Sequence, residues 1–154
     1  MWVAQVFGRA SSGIKSQVLG GGTRGEPPYA SQWWTNDVRY SALWGTGGGY
    51  ATHGSAGAET GVFQHVLVKG STTTELYQDG SAIGTPQTNG GGTGAIYYIG
   101  RRESDYHAGM LCEIIVGTSA LSSSDRENLE GYLAHKWGLA GSLPVSHPYR
   151  DAPP

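Results

Sequence analysis

Apolar residues along this chain fall into short runs that are separated by glycine, proline and polar residues. The runs WVAQVFGR (2–9), VFQHVLVKG (62–70) and MLCEIIVG (110–117) place apolar side chains on both faces of an extended backbone. That pattern predicts strands in the middle of a sheet. In VRYSALWG (38–45) apolar positions alternate with polar ones, as on a strand with one buried face. The chain is therefore mainly β-structure by its periodicity.

A hairpin is predicted in STTTELYQDGSAIGTP (71–86). Its centre, Asp79-Gly80, is a residue pair that accepts the positive φ angles of a tight turn. Further strands are predicted in IKSQVLGGG (14–22) and AIYYIGRR (95–102), whereas TRGEPPYAS (23–31) is assigned to a loop because of its two prolines. Together these segments predict about eight or nine strands with the spacing of an antiparallel sandwich.

One segment near the C-terminus has the period of a helix instead. Its apolar stripe consists of Leu129, Tyr132, Leu133 and Trp137. Ser122 and Asp125 form a capping box at the start, Ser124 with Glu127 offers a second register, and Gly138 ends the helix. The stripe predicts that the helix covers part of a sheet.

A single domain is predicted, because 154 residues suffice for one core. It consists of a sandwich over about 1–121, the helix over 122–138 and an extended, proline-containing tail over 139–154. Glycine is 26 of 154 residues and charged residues are only 14%, a composition that favours sheets joined by many turns.

Charge and hydrophobicity exclude several classes of function. The net charge is −2 without a basic cluster, which argues against nucleic-acid binding. No apolar stretch approaches the ~20 residues of a membrane span, and the N-terminus lacks the pattern of a signal peptide. The single Cys112 excludes an internal disulfide, and its apolar surroundings predict a buried, unreactive thiol.

Two parts of the chain resemble concanavalin A-like, laminin G-like jelly-roll domains. FQHVLV…TTTELYQDGSAIG (63–84) is similar to a pattern in which an aromatic-x-His-Val strand leads into a Tyr-x-Asp-Gly hairpin. YYIGRR…MLCEIIVGTSALSSSDRENLEGYLAHKWGL…LPVSHPY (97–149) resembles the C-terminal half of such domains, in the form that recurs in phage and marine bacterial structural proteins. The likeness is good over about 60–150 and loose over the first sixty residues.

This resemblance implies an all-β, two-sheet antiparallel jelly-roll sandwich with one C-terminal α-helix. It leaves the function open, since the fold hosts lectins, glycanases, adhesins and scaffolds. Such domains usually begin with one or two strands upstream of the strand that residues 2–9 form here. The sandwich is therefore either trimmed or completed by a strand from another chain, because an unpaired edge strand pairs readily in trans.

A catalytic constellation is not predicted. Glycanases of this fold need two carboxylates on one face of a strand, and the matching strand has Glu113 alone, without an acidic residue at 115 or 117. We therefore expect a protein that is not an enzyme. No metal site and no cofactor are predicted; some relatives bind calcium, but Asp37, Asp79 and Asp105 offer few oxygen ligands.

A carbohydrate-binding surface is the best binding hypothesis. Its residues are Trp33, Trp34, Asn36 and Asp37 in QWWTND, with a second patch of Tyr50 and His53. Exposed aromatic rings stack on sugars, and the neighbouring amide and carboxylate would bond hydroxyl groups. The alternative, in which both tryptophan rings pack inside the domain or against the helix, stays open.

Three functions are compatible with this sequence. The first is a non-catalytic virion module, such as a phage tail, fibre or head-decoration protein. It would form homo-oligomers, contact other virion chains and bind host glycans. The second is a carbohydrate-binding domain of a secreted bacterial protein, located outside the cell or on its surface. The third is a glycan hydrolase or lyase that uses Glu113.

Overall fold

The computed structural model describes residues 1–10, 16–20, 29–33, 38–42, 51–55, 60–88, 97–102 and 105–154. Within these ranges the strands are Trp2–Arg9 (β1), Ser16–Gly20 (β2), Tyr29–Trp33 (β3), Val38–Ala42 (β4), Ala51–Ser55 (β5), Gly61–Lys69 (β6), Thr73–Gln78 (β7), Ser81–Ala82 (β8), Gln87–Thr88 (β9), Tyr98–Ile99 (β10), Arg101–Arg102 (β11), Asp105–Tyr106 (β12) and Gly109–Gly117 (β13). The helix Ser123–Trp137 (α1) and a 3-10 helix, Ala140–Ser142, follow.

The strands form two main antiparallel sheets. The six-stranded sheet has the order β13-β1-β6-β7-β8, with β9 also paired to β7, and the five-stranded sheet has the order β10-β2-β3-β4-β5. Strands β11 and β12 pair with each other as a separate two-stranded hairpin. The predicted all-β architecture of two antiparallel sheets with one helix is confirmed.

The two sheets share one hydrophobic core. Its buried residues are Val3, Phe7, Val18, Leu19, Phe63, Leu67 and Leu76. Val3 and Phe7 lie two pleats apart on β1, so they point to the same face of the six-stranded sheet, and Val18 and Leu19 come from the five-stranded sheet. This face of the six-stranded sheet is therefore covered by the other sheet, as in a sandwich.

The opposite face of the six-stranded sheet is covered by α1. Ala4 and Val6 of β1, Val66 of β6 and Leu133 of α1 form a second buried cluster. Leu133 has no exposed surface, whereas Tyr132 and Trp137 of the predicted stripe are 42% and 38% exposed. The helix thus packs on the sheet mainly through Leu133, with two aromatic residues at its margin.

Local signals define the ends of α1 as predicted. The backbone N–H of Asp125 donates to Oγ of Ser122 at 3.1 Å, which is the capping box. Gly138 ends the helix in the left-handed conformation, with φ 74°. The part of the chain that the structure describes contains no helix that is both long and apolar enough to cross a membrane.

The N-terminal strand is not an open edge. β1 pairs with β13 on one side and with β6 on the other along its whole length, from Trp2 to Arg9. The expectation that this strand is an unpaired edge, available to another chain, is therefore wrong. Its apolar character on both faces has a different cause, because one face packs on the other sheet and the opposite face packs on α1.

Three further expectations are corrected. Residues 23–31 are not all loop, since β3 begins at Tyr29, directly after the two prolines. The tail is compact rather than extended: a 3-10 helix follows Gly138, and Leu143 and His147 are buried. Cys112 is only partly buried, because it lies at an irregularity of β13 where the register with β1 shifts.

Candidate functional site

The structure places only part of the predicted sugar-binding surface. Trp33 lies at the end of β3 and His53 lies in β5, and both are described by their backbone position. Trp34, Asn36, Asp37 and Tyr50 lie outside the described residues. The predicted roles of these six side chains therefore stay predictions.

The strand register brings the two described members to one end of the five-stranded sheet. Trp33 is the Cα partner of Arg39 on β4, and Arg39 lies between Val38 and Tyr40, which pair with Ser55 and Thr52 of β5. The backbone of His53 is therefore separated from that of Trp33 by a single strand. Residues that are 20 positions apart in the sequence thus share one end of the sheet.

A second surface, which the sequence reasoning missed, surrounds Arg101. Cζ of this guanidinium lies 4.4 Å from the ring centroid of Tyr98 and 5.7 Å from that of Tyr106. Tyr106 is 61% exposed, and Tyr97, the residue before Tyr98, is 67% exposed. We call Tyr98, Arg101 and Tyr106 the Tyr–Arg cluster.

The β11–β12 hairpin, which carries Arg101 and Tyr106 of the cluster, is attached to both sheets. The backbone N–H of Gly100 donates to the carbonyl of Val18 in β2 at 2.7 Å, and the N–H of His107 donates to the carbonyl of Gly100 at 2.8 Å. On the other side, Nε2 of His107 lies 3.0 Å from the carbonyl of Gly8 in β1. These bonds hold Arg101 at a fixed place next to the two rings.

Gly100 explains why the predicted strand 95–102 is divided into β10 and β11. Its φ of 74° lies in the left-handed region, which side chains with a Cβ rarely adopt. A Cβ at this position would also lie 3.2 Å from Cδ1 of Leu111. The break changes the direction of the chain between Tyr98 and Arg101 and so allows the guanidinium to lie over the tyrosine ring.

His107 is a structural anchor of this hairpin rather than a free base. Its ring meets Phe7 edge-on, with the ring centroids 5.8 Å apart, and Nε2 is also 3.1 Å from the carbonyl of Met110. Burial lowers its pKa below the usual 6.5, and the bonds to the carbonyls of Met110 and Gly8 oppose that shift. We therefore expect a largely neutral ring at pH 7.

The electrostatic setting of Arg101 differs from that of the arginine on the helix. Arg126 is held by Glu130, whose two oxygens accept from its Nη1 at 2.8 and 2.7 Å, and it covers the ring of Tyr77. In the described part of the chain, by contrast, no ion pair joins Arg101 to a carboxylate, and its Nε has no hydrogen-bond partner. The positive charge of Arg101 is left without a neutralising group there.

Two clefts elsewhere on the domain are lined by residues that the structure describes. One, of about 250 Å³, is lined by Glu75, Tyr77 and the turn that follows β8. Its polar groups satisfy each other, because the hydroxyl of Tyr77 donates to Glu75 at 2.7 Å. The other, of about 170 Å³, lies between Gly8, Gly61 and Met110 and is mainly apolar. The second cleft is also lined by Arg9, which is buried.

Glu113, the carboxylate considered for catalysis, is held by groups of α1. Nζ of Lys136 donates to Oε1 at 2.9 Å, and Nε1 of Trp137 donates to Oε2 at 2.7 Å. Burial alone would raise its pKa, but these two hydrogen bonds and the charge of Lys136 outweigh burial and lower it. A carboxylate bonded in this way fastens the helix to the edge of the sheet.

No group of three or more His, Cys, Asp or Glu side chains among the described residues is placed to hold a metal ion. Asp79, which was considered for calcium, serves the β7–β8 turn: its Oδ1 accepts from the backbone N–H of Gln64 at 2.9 Å. Its φ of 48° and that of 78° at Gly80 are those of the predicted tight turn. Asp37 lies outside the described residues.

Comparison with known proteins agrees with this architecture. Residues 4–125, more than half of the chain, match the Laminin_G_3 family model, described as concanavalin A-like lectin/glucanases superfamily. No curated protein matches the chain. A solved structure of a Trypanosoma rangeli sialidase, in complex with 2-keto-3-deoxy-D-glycero-D-galacto-2,3-difluoro-nononic acid, is similar with a TM-score of 0.58 and 19% sequence identity. The likeness covers 88% of this chain but only 23% of the sialidase.

The sialidase similarity corrects the expectation that this protein is not an enzyme. A protein that contains the same fold is a catalyst, so the isolated position of Glu113 in its strand was not a sufficient reason to exclude activity. At 19% identity the similarity to the sialidase shows a shared fold alone.

Proposed function

Because the chain belongs to the concanavalin A-like lectin/glucanase superfamily, we propose that it is a carbohydrate-binding domain and that the Tyr–Arg cluster contacts the sugar. The observation that carries this proposal is the exposed ring of Tyr106 next to Arg101 and Tyr98, on a hairpin bonded to both sheets of a lectin-like sandwich. The name of the sialidase, an enzyme that acts on sugars, supports the same class of ligand.

The cluster has the chemistry that sugar recognition needs. The C–H groups on one face of a pyranose ring are apolar and weakly positive, and they pack on the negative face of an aromatic ring. Tyr106, with 61% of its surface exposed, offers such a face, and its hydroxyl group can exchange hydrogen bonds with sugar hydroxyls. Arg101 adds donors at a fixed distance from both rings.

The predicted residues around Trp33 form a second part of the proposal. Trp33 and Tyr98 flank the same strand, since Trp33 pairs with Ser16 at one end of β2 and Tyr98 pairs with Gly20 at its other end. The five-stranded sheet thus carries candidate sugar-binding residues at both ends of β2. We propose that a glycan longer than one residue contacts both.

Binding of the purified domain to an array of microbial and host-surface glycans tests this function. The Tyr106→Ala variant is expected to lose most of the binding, and Trp33→Ala and Trp34→Ala to weaken it. Tyr132→Ala is the matched control, because Tyr132 is also an exposed tyrosine but lies on α1. Absence of binding to any glycan, or an equal loss in the Tyr132 variant, would contradict the proposal.

We further propose a phage virion as the setting of this domain, as a tail, fibre or head-decoration component associated with copies of itself and with other virion chains. The support is the resemblance of residues 97–149 to phage structural domains. The alternative setting is a secreted bacterial protein at the cell surface. Detection of the chain by mass spectrometry in purified particles, or in a bacterial surface fraction, distinguishes the two.

A further inference from the structure

The charge of Arg101 narrows the class of sugar. We propose that the Tyr–Arg cluster binds an acidic sugar, with the carboxylate of a uronic acid residue paired to the guanidinium of Arg101 and the sugar ring against Tyr106. This inference rests on the proposed carbohydrate-binding function and adds the ligand class to it.

The first argument is a comparison with Arg126, an arginine whose side chain forms an ion pair in the structure. Arg126 is 13% exposed and has its charge neutralised by Glu130. A guanidinium carries five donors in a planar fork, and carboxylates match that fork with two parallel hydrogen bonds. Arg101 is partly buried next to two rings, and in the described residues its Nε has no acceptor. A carboxylate from a ligand would supply what Glu130 supplies to Arg126.

The second argument is the cost of holding this charge without a partner. A buried N–H that makes no hydrogen bond costs stability, and Nε of Arg101 is such a group. The rings of Tyr98 and Tyr106 partly compensate, because a cation over an aromatic face is attracted by the ring. The guanidinium is also partly buried, and reduced screening strengthens its attraction for an anion.

The third argument is the fixed geometry of the cluster. The hairpin is bonded to β2 through Gly100 and to β1 through His107, so the backbone that carries Arg101 does not have to be ordered when the ligand arrives. Preorganised groups lose less entropy on binding than mobile ones. A single charge pair can therefore add measurable affinity although the chain as a whole has a net charge of −2.

The test compares each acidic glycan with its neutral counterpart. Oligogalacturonate and its methyl ester have the same sugar chain and differ in the carboxylate charge, and calorimetric titration gives both affinities. We expect the acid to bind about tenfold or more tightly than the ester, as a charge-assisted pair provides. The preference should decline between 50 and 500 mM NaCl, since salt screens the pair.

Variants of Arg101 distinguish the failure of this inference from that of the proposed function. Arg101→Gln is expected to weaken binding of the acid much more than binding of the neutral ester and so to remove the preference, and Arg101→Lys is expected to retain part of it. Arg150→Gln, a change of an arginine in the C-terminal tail, is the control that keeps it. Circular dichroism shows whether each variant is folded.

Each outcome decides between the two levels of the proposal. Equal binding of acid and ester, or an acid preference that survives in Arg101→Gln, overturns the acidic-sugar inference and leaves carbohydrate binding in place. If neutral glycans bind at another surface and the acid does not bind, the inference is also overturned. If no glycan in the array binds, the proposed function fails and this inference fails with it.

Discussion

Replacement of Leu133 by alanine is expected to destabilise the domain by about 3 kcal/mol, in the range measured for buried leucines. Leu133 has no exposed surface and is the residue of α1 in the buried cluster with Ala4, Val6 and Val66. Its truncation removes buried apolar surface and leaves a cavity under the helix. A helix of 15 residues is marginal on its own, so lost packing weakens the attachment of all of α1.

The location of α1 can be tested with two double-mutant cycles. Val66 and Leu67 are neighbours on β6, but Val66 belongs to the cluster under the helix and Leu67 to the core between the sheets. The unfolding free energies of Leu133→Ala and Val66→Ala should couple by about 0.5 kcal/mol or more, because the two side chains lie in one buried cluster and their truncations leave adjoining space. Leu133→Ala and Leu67→Ala should be additive within about 0.5 kcal/mol, because a sheet separates them.

Urea unfolding, followed by circular dichroism and tryptophan fluorescence, measures these free energies. For a domain of this size a loss of about 3 kcal/mol lowers the melting temperature by roughly 6–12 °C, which calorimetry can check. A loss below about 1 kcal/mol for Leu133→Ala would show that the helix does not depend on this contact. Coupling of Leu133 to Leu67 rather than to Val66 would contradict the position of α1, because it would place the helix on the face of the six-stranded sheet that packs on the other sheet.

Three other changes have defined outcomes. Burial, helped by the hydrogen bond to Glu75, raises the pKa of Tyr77 to about 12, so its contribution to stability is complete below pH 10 and is lost as the pH rises through 12; urea midpoints from pH 9 to 12 should fall less in Tyr77→Phe. Burial would raise the pKa of Glu113, but its hydrogen bonds lower it below 4.5, so its contribution is present above pH 4.5 and is lost as the pH falls through the lowered value; the wild type should lose stability on acidification that Glu113→Gln does not lose. Gly100→Ala should cost about 1–2 kcal/mol at a φ of 74° and weaken glycan binding on the array, because the hairpin that holds Arg101 is displaced. An unchanged urea midpoint together with unchanged binding would show that the hairpin accommodates a Cβ.

Features that depend on adjacent residues could be predicted from the sequence. The turn at Asp79-Gly80 needs two residues with positive φ, and the structure has 48° and 78° there. The helix between Ser122 and Gly138 needs a capping side chain and a glycine at its ends, and both act as predicted. In each case the residues that cause the local structure lie within four positions of it, so the sequence alone is sufficient to predict it.

Features that depend on distant pairing could not be predicted in the same way. The apolar pattern of β1 indicated a central strand. Because similar domains have strands upstream of it, β1 was nevertheless interpreted as an unpaired edge. Only its pairing with β13 and β6 decides between a central and an edge position. The Tyr–Arg cluster was missed for a related reason. In the sequence these three residues are typical of a strand and a turn. They come together because Gly100 divides the strand and because β11 pairs with β12.

The layers of the domain limit where a ligand can bind. One face of the six-stranded sheet is packed on the other sheet and its opposite face carries α1, so the interior residues of β1 and β6 are enclosed on both sides. The edge of this sheet at Glu113 is partly occupied by bonds to Lys136 and Trp137. The helix α1 packs on the six-stranded sheet, and the Tyr–Arg hairpin is attached to strand β2 of the five-stranded sheet. We therefore place the proposed glycan on the side of the five-stranded sheet, where Trp33, His53 and Arg101 lie in or next to its strands.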